Sequence, residues 1–128
     1  MDAAQALADL TEISSQIEHA VLFDGQGEIE ASTVSDDRAR KLAQLADELL
    51  REARSVREGG EGLTQLEAST RAGSVFLVAE GERRIVATTG PEPTVGLVFY
   101  DLKSCLRAAA DDPAPAEAGG RKRSKREA

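Results

Sequence analysis

GSVFLVAEGERRIVATTG, residues 73–90, is the stretch on which the reading of this chain turns. An apolar run over residues 75–79 stops at Glu80-Gly81-Glu82 and resumes as Ile85-Val86-Ala87. β-Branched and aromatic residues on either side of a short Gly-containing turn predict a β-hairpin. Side chains alternate along a strand, so Val75, Leu77 and Ala79 share one face while Phe76 and Val78 share the other. A strand that is apolar on both faces has to be covered on both. The hairpin is therefore expected near the middle of a sheet, with helices on each side.

Before the hairpin, residues 63–70 alternate. Thr64, Leu66, Ala68 and Thr70 face one way; Gln65, Glu67 and Ser69 face the other. That pattern suits an edge or interface strand, and an uncovered edge invites another chain to pair with it. Further back, His19-Ala20-Val21-Leu22-Phe23 is apolar at both parities, Asp24-Gly25-Gln26-Gly27 is a strong turn signal, and Ile29, Ala31 and Thr33 then alternate with polar residues. These predict a second hairpin whose half-polar second arm lies toward a sheet edge.

Three helices complete the pattern. Asp2 with Gln5 three residues on forms a capping-box signature, and Leu7, Leu10, Ile13 and Ile17 follow at helical spacing, predicting a first helix over residues 3–17. Ser35-Asp36-Asp37 supplies a cap and two acids for the positive end of a second helix, which runs to about residue 56 before Gly59-Gly60 and Gly62 break it. Leu42, Leu45, Ala46, Leu49 and Ala53 form its main stripe, and Ala39, Ala43 and Leu50 widen that stripe beyond what one sheet face requires. A third helix over residues 94–110 carries Val95, Val98, Phe99, Leu102, Cys105, Leu106 and Ala109 at helical spacing. Gly96 in its first turn costs about 1 kcal/mol relative to Ala, a cost expected where the helix start passes close to a neighbouring backbone. The predicted order is α-β-β-α-β-β-β-α: an α+β fold with a five-stranded antiparallel sheet, the second helix on one face, and the first and third on the other.

With 128 residues, one domain is expected, assigned to residues 1–112, and it is long enough to bury a core. Aromatic residues make up only 3 %, so that core has to be aliphatic. The single Cys excludes an internal disulfide and suits a reducing compartment. The N-terminal stretch lacks the basic start and long apolar run of a signal peptide, and no segment approaches the roughly 20 apolar residues of a membrane span. A cytoplasmic location is the expectation. Residues 113–128 hold five basic and two acidic side chains, a local +3, which leaves −10 for the rest against a total of −7. This tail is too polar and irregular to pack and is expected to be disordered. Its cluster of Arg121, Lys122, Arg123, Lys125 and Arg126 offers electrostatic contacts to an anionic membrane or an acidic protein surface, whereas the acidic body argues against nucleic acid as a partner.

No catalytic constellation stands out. His19 is the only His and Cys105 lies on the apolar stripe of the last helix, where an inert buried thiol is expected. Gly59-Gly60-Glu61-Gly62 lacks the Lys-Ser/Thr of a phosphate-binding loop, and the acid pairs sit at helix ends. No cofactor and no enzymatic activity are expected.

Ala20-Val21-Leu22-Phe23-Asp24-Gly25-Gln26-Gly27 as strand and turn, the Ala/Leu-rich helix over residues 42–50, and Thr94-Val95-Gly96-Leu97-Val98-Phe99-Tyr100-Asp101-Leu102 at the start of the last helix together resemble the roadblock/dynein light-chain domain family. The resemblance spans residues 3–110. It implies a homodimer in which the second helix and third strand pair across a two-fold axis, a surface used twice. Leu42, Leu45, Leu49, Leu50, Ala53, Leu63, Gln65, Leu66 and Glu67 would then form the interface. It also implies an adaptor that binds a small Ras-like GTPase, activating or scaffolding it. Such a protein need supply no catalytic group; were it to offer an arginine, Arg71, Arg83 and Arg84 near the hairpin ends are the candidates. Two alternatives stay open: a small-ligand sensor of the PAS or profilin type, and a structural subunit of a motor-like or membrane-associated complex.

Overall fold

The computed structural model describes residues 1–56, 59–62 and 64–110, with the side chain of residue 61 excepted. The tail over residues 113–128, with its five basic side chains, and Leu63 lie outside the described residues. The elements run α1 (Ala3–Ile13), β1 (Ile17–Asp24), β2 (Ile29–Ser32), α2 (Asp36–Ser55), β3 (Gln65–Ser69), β4 (Ser74–Glu80), β5 (Arg83–Thr89) and α3 (Val95–Ala110). All strand pairings are antiparallel, in the spatial order β2-β1-β5-β4-β3. The hairpin that opened the sequence reading thus supplies β5, the central strand, and β4 beside it. The half-polar strands β2 and β3 take the two edges.

Alternation along the strands divides the core in two. Ala20, Leu22, Phe76, Val78, Ile85 and Ala87 pack against α1 and α3, while Val21, Phe23, Leu77, Ala79 and Val86 pack against α2. On the first face, Phe76 and Phe99 meet edge to face, with ring centroids 5.0 Å apart, the arrangement their quadrupoles favour. The expectation of α2 on one side and α1 with α3 on the other holds.

Local chemistry sets the turns. Asp24 Oδ1 accepts hydrogen bonds from the backbone amides of Gln26 (2.8 Å) and Glu28 (3.0 Å), so one carboxylate organises the β1–β2 turn. Between β3 and β4, Thr70 Oγ1 donates to the Gly73 carbonyl and accepts from the Gly73 amide. Gly73 has φ 156°, and a Cβ there would fall 2.0 Å from the Thr89 carbonyl oxygen. No other residue fits without moving the neighbouring strand end.

Three sequence expectations change. α1 ends at Ile13, not at residue 17. Ser14 and Ser15 are weak helix formers, Ser14 Oγ accepts from the Gln16 amide, and Ile17 gains a ladder position opposite Thr89. Ile13 consequently stays 74 % exposed. Only half of the capping box forms: Asp2 Oδ1 accepts from the Gln5 amide at 2.7 Å, but the Gln5 side chain reaches Asp9. Gly96 has open space around its Cβ direction, so close backbone approach does not explain it.

Candidate functional site

The second helix meets the sheet through a stripe of small residues. Ala39, Ala43, Ala46 and Leu50 are buried, at spacings of four, three and four. Three alanines let the helix axis lie close to β1 and β5, and its main sheet contacts fall on β2, β1 and β5. That placement leaves the larger side chains on a flank. Leu45 is 58 % exposed, Leu49 39 % and Val56 77 %. At about 100° per residue these three point roughly 110° away from the buried stripe. The leucines expected to dominate sheet packing thus face outward, and the alanines expected to widen the stripe do the packing.

The exposed flank borders the α2 face of the sheet. Leu42 and Leu45 border a shallow groove with His19, Val34, Arg38, Lys41 and Thr88. Thr88 pairs with Val75 of β4, and Val75 pairs with Ala68 of β3. One row of side chains therefore leads from the helix flank across the sheet to its rim. Leu66 and Val75, both half-buried, pack against the α2-side core and extend the apolar shelf. Among the described residues β3 pairs only with β4, so its other side has no strand partner there. An apolar shelf beside an unpaired strand is the geometry through which two sheets join.

Of the residues expected at a dimer interface, Leu45 and Leu49 are exposed, and Leu42, Ala53, Gln65 and Leu66 are half-buried. Glu67 is exposed, its Oε2 accepting from Ser69 Oγ at 2.7 Å. Leu50 is different: at 2 % exposure it belongs to the protomer's own core and has no surface to offer a partner. Val56 joins the exposed flank and was missed, because it stands at the end of the helical pattern, next to Gly59-Gly60.

The arginines separate just as clearly. Arg84 is buried on the α2 face, with Nη1 donating to the Gly81 carbonyl at 3.2 Å. Arg83 pairs through Nε with Glu30 across β1 at 3.5 Å. Arg71, in the β3–β4 turn, is the most exposed of the three, Arg83 being half-buried and Arg84 buried.

A second surface lies on the opposite side of the sheet. α1 and α3 flank an open groove of about 320 Å³ lined by Met1, Ala6, Asp9, Leu10, Ile13, Tyr100, Asp101, Ser104, Cys105 and Ala108. Asp101 is 9 % exposed, and burial raises its carboxyl above the ordinary range. Burial, reinforced by the negative charge of Asp9, pushes the Cys105 thiol up to about 11. Such a thiol is a poor nucleophile at neutral pH. The groove is open to solvent, not the enclosed polar-anchored cavity a ligand sensor needs. Among the described residues no group of three or more His, Cys, Asp or Glu is placed to hold a metal ion, and no helix is long and apolar enough to cross a membrane.

A five-stranded antiparallel sheet with α2 on one face and α1 and α3 on the other defines an α+β module. Residues 4–89 match the Roadblock/LC7 domain family, and the chain belongs to it. The whole fold, α3 included, is found in solved structures. A Roadblock/LC7 domain from Streptomyces avermitilis superimposes with a TM-score of 0.77 at 17 % identity, covering 86 % of this chain and 96 % of that one. MglB in a tetrameric arrangement gives 0.71 at 14 % identity, covering 84 % and 85 %. MglB from Myxococcus xanthus gives 0.62 at 13 %, covering 84 % and 82 %. No curated protein sequence matches this one.

Proposed function

We propose that this protein is a non-enzymatic adaptor that pairs with a second copy of itself through α2 and β3 and binds a small Ras-like GTPase on the composite surface. The observation that carries the reading is the exposure of Leu45 and Leu49 on the flank of α2, together with the edge position of β3, which among the described residues pairs only with β4. A two-fold axis there would bury both leucines twice and satisfy the edge strand with its own copy. Membership of the roadblock family supports a GTPase as the further partner, and the tetrameric arrangement of MglB supports self-association of this fold.

A regulator of this kind acts by holding the GTPase's switch loops in one arrangement, changing hydrolysis through order instead of added chemistry. Arg71 is the exposed candidate for a direct contribution. In this reading the protein works in the cytoplasm and needs no cofactor. The test is to mix the full chain with the small GTPases of its own genome, beginning with any encoded in the same operon, and to follow binding and GTP hydrolysis. Binding with a faster rate assigns an activator, and binding with an unchanged rate a scaffold. The absence of binding and of any rate change with all of them rules the proposal out.

A further inference from the structure

The exposed flank of α2 carries an ordered set of charges. Arg38, Lys41, Glu48 and Glu52 are all exposed, and among the described residues none of their side chains takes part in an ion pair. Elsewhere on the helix, charge is balanced locally: Arg40 pairs with Asp37 and Arg51 with Asp47. At about 100° per residue, Arg38 and Glu52 lie within about 20° of Leu45, while Lys41 and Glu48 lie roughly 40° and 60° to one common side. Leu45 thus stands between a basic and an acidic patch on one stripe. It borders a groove with Arg38 and Lys41 and a second groove with Asp47 and Glu48.

This order works against the single helix. Arg38 and Lys41 are like charges three residues apart, Glu48 and Glu52 like charges four apart, and neighbours at those spacings repel. Arg38 sits in the first turn and Glu52 in the last, each at the helix end whose partial charge has its own sign.

What disfavours one helix suits two running in opposite directions. A two-fold axis at Leu45 brings together residues at equal distances on either side of it. Arg38, seven residues before Leu45, meets Glu52 of the other copy, seven after it; Lys41, four before, meets Glu48, three after. Such an axis keeps a lateral offset on the same side, so Lys41 and Glu48 of the two copies also meet there. A parallel copy would set like charge on like along the whole flank, which opposes binding.

We propose that Arg38, Lys41, Glu48 and Glu52 select the partner of α2, admitting a second copy of this chain in one direction and one register centred on Leu45. The inference rests on the pairing through α2 proposed above and adds to it the choice of partner and its salt dependence. Each pair is solvent-exposed, so the four made by a two-fold act mainly by rejecting wrong partners, through the cost of like charges brought together.

The experiment compares the full-length natural chain with two charge-reversed chains, Arg38→Glu with Lys41→Glu, and Glu48→Lys with Glu52→Lys, one of them isotopically labelled. Sedimentation velocity and native mass spectrometry follow pairing at low and high salt. Each reversed chain alone should pair about a hundred-fold more weakly than the natural one, since every flank contact becomes like on like. Mixed in equal amounts, the two should form a one-to-one pair about as tight as the natural dimer, because all four contacts are then opposite in sign. Recovery on mixing also shows that both chains fold. The natural dimer itself should weaken as salt rises. Reversed chains that pair with themselves as tightly as the natural chain overturn the inference and leave the pairing intact, as does a mixture that recovers no one-to-one pair. A natural chain that stays single at every concentration removes the pairing and this inference together.

Discussion

Changing Leu45 and Leu49 together to Ala separates association from folding. The two side chains are 58 % and 39 % exposed in the protomer, so between them they leave about one full leucine side chain uncovered. Leu to Ala removes three carbons, and at about 0.8 kcal/mol per buried methylene the pair accounts for roughly 2 kcal/mol per protomer. A two-fold interface counts the patch twice, giving about 4 kcal/mol and a roughly thousand-fold weaker dimer. Because neither side chain belongs to the buried stripe, the thermal midpoint measured below the dissociation constant should hardly move. Leu50→Ala is the matched control: it empties a buried site in the protomer and should cost about 2–5 kcal/mol of folding stability. Sedimentation equilibrium over a range of concentrations, with circular-dichroism melts alongside, measures both quantities. An unchanged dissociation constant for the double variant would refute the assignment of the α2 flank. A loss of folding stability matching that of Leu50→Ala would refute the separation of the two stripes.

Other consequences follow from the rest of the structure. Asp101 has its carboxyl pKa raised by burial, so in the isolated fold its charge is a liability. Stability is lost as pH rises from the unfolded value of 3.8 through the raised folded value, so Asp101→Asn should raise the melting temperature at neutral pH and flatten the dependence in the acid range. The lifted Cys105 thiol acts at the other end: the unfolded chain ionises near 9.0 and the folded chain only near 11. Alkali between those values should therefore weaken the fold, and less so in Cys105→Ala, as denaturant titrations at pH 8 and 10.5 would show. Gly73→Ala should destabilise by at least about 1–3 kcal/mol, because its Cβ would overlap the Thr89 carbonyl in a conformation alanine avoids; chemical denaturation measures it.

The layered fold was legible because its main signal is parity. Apolar residues at both parities over residues 75–79 required two covering layers, while the half-polar runs that became β2 and β3 belonged at edges. The orientation of α2 was not legible from hydrophobic weight alone. Leucine is more apolar than alanine, yet a helix lying close to a sheet selects small side chains, and the leucines are left for another surface. The end of α1 was obscured because Ile17 satisfies a helical spacing and a strand parity equally; the competing ladder with β5 decided it. Asp101 escaped notice because its neighbours Val98, Leu102 and Cys105 define the buried stripe without it. Arg84 escaped because a hairpin end normally exposes its side chains, and only the packing beneath α2 shows that this one is enclosed.

The central claim is that β3 is completed by β3 of a second copy beside the α2 flank. Amide hydrogen exchange of residues 65–69, followed from micromolar to nanomolar protein, tests it most directly. The account predicts protected β3 amides at high concentration and accelerated exchange on dilution, with β1 and β5 unchanged. Exchange in β3 that is equally fast at every concentration would contradict it.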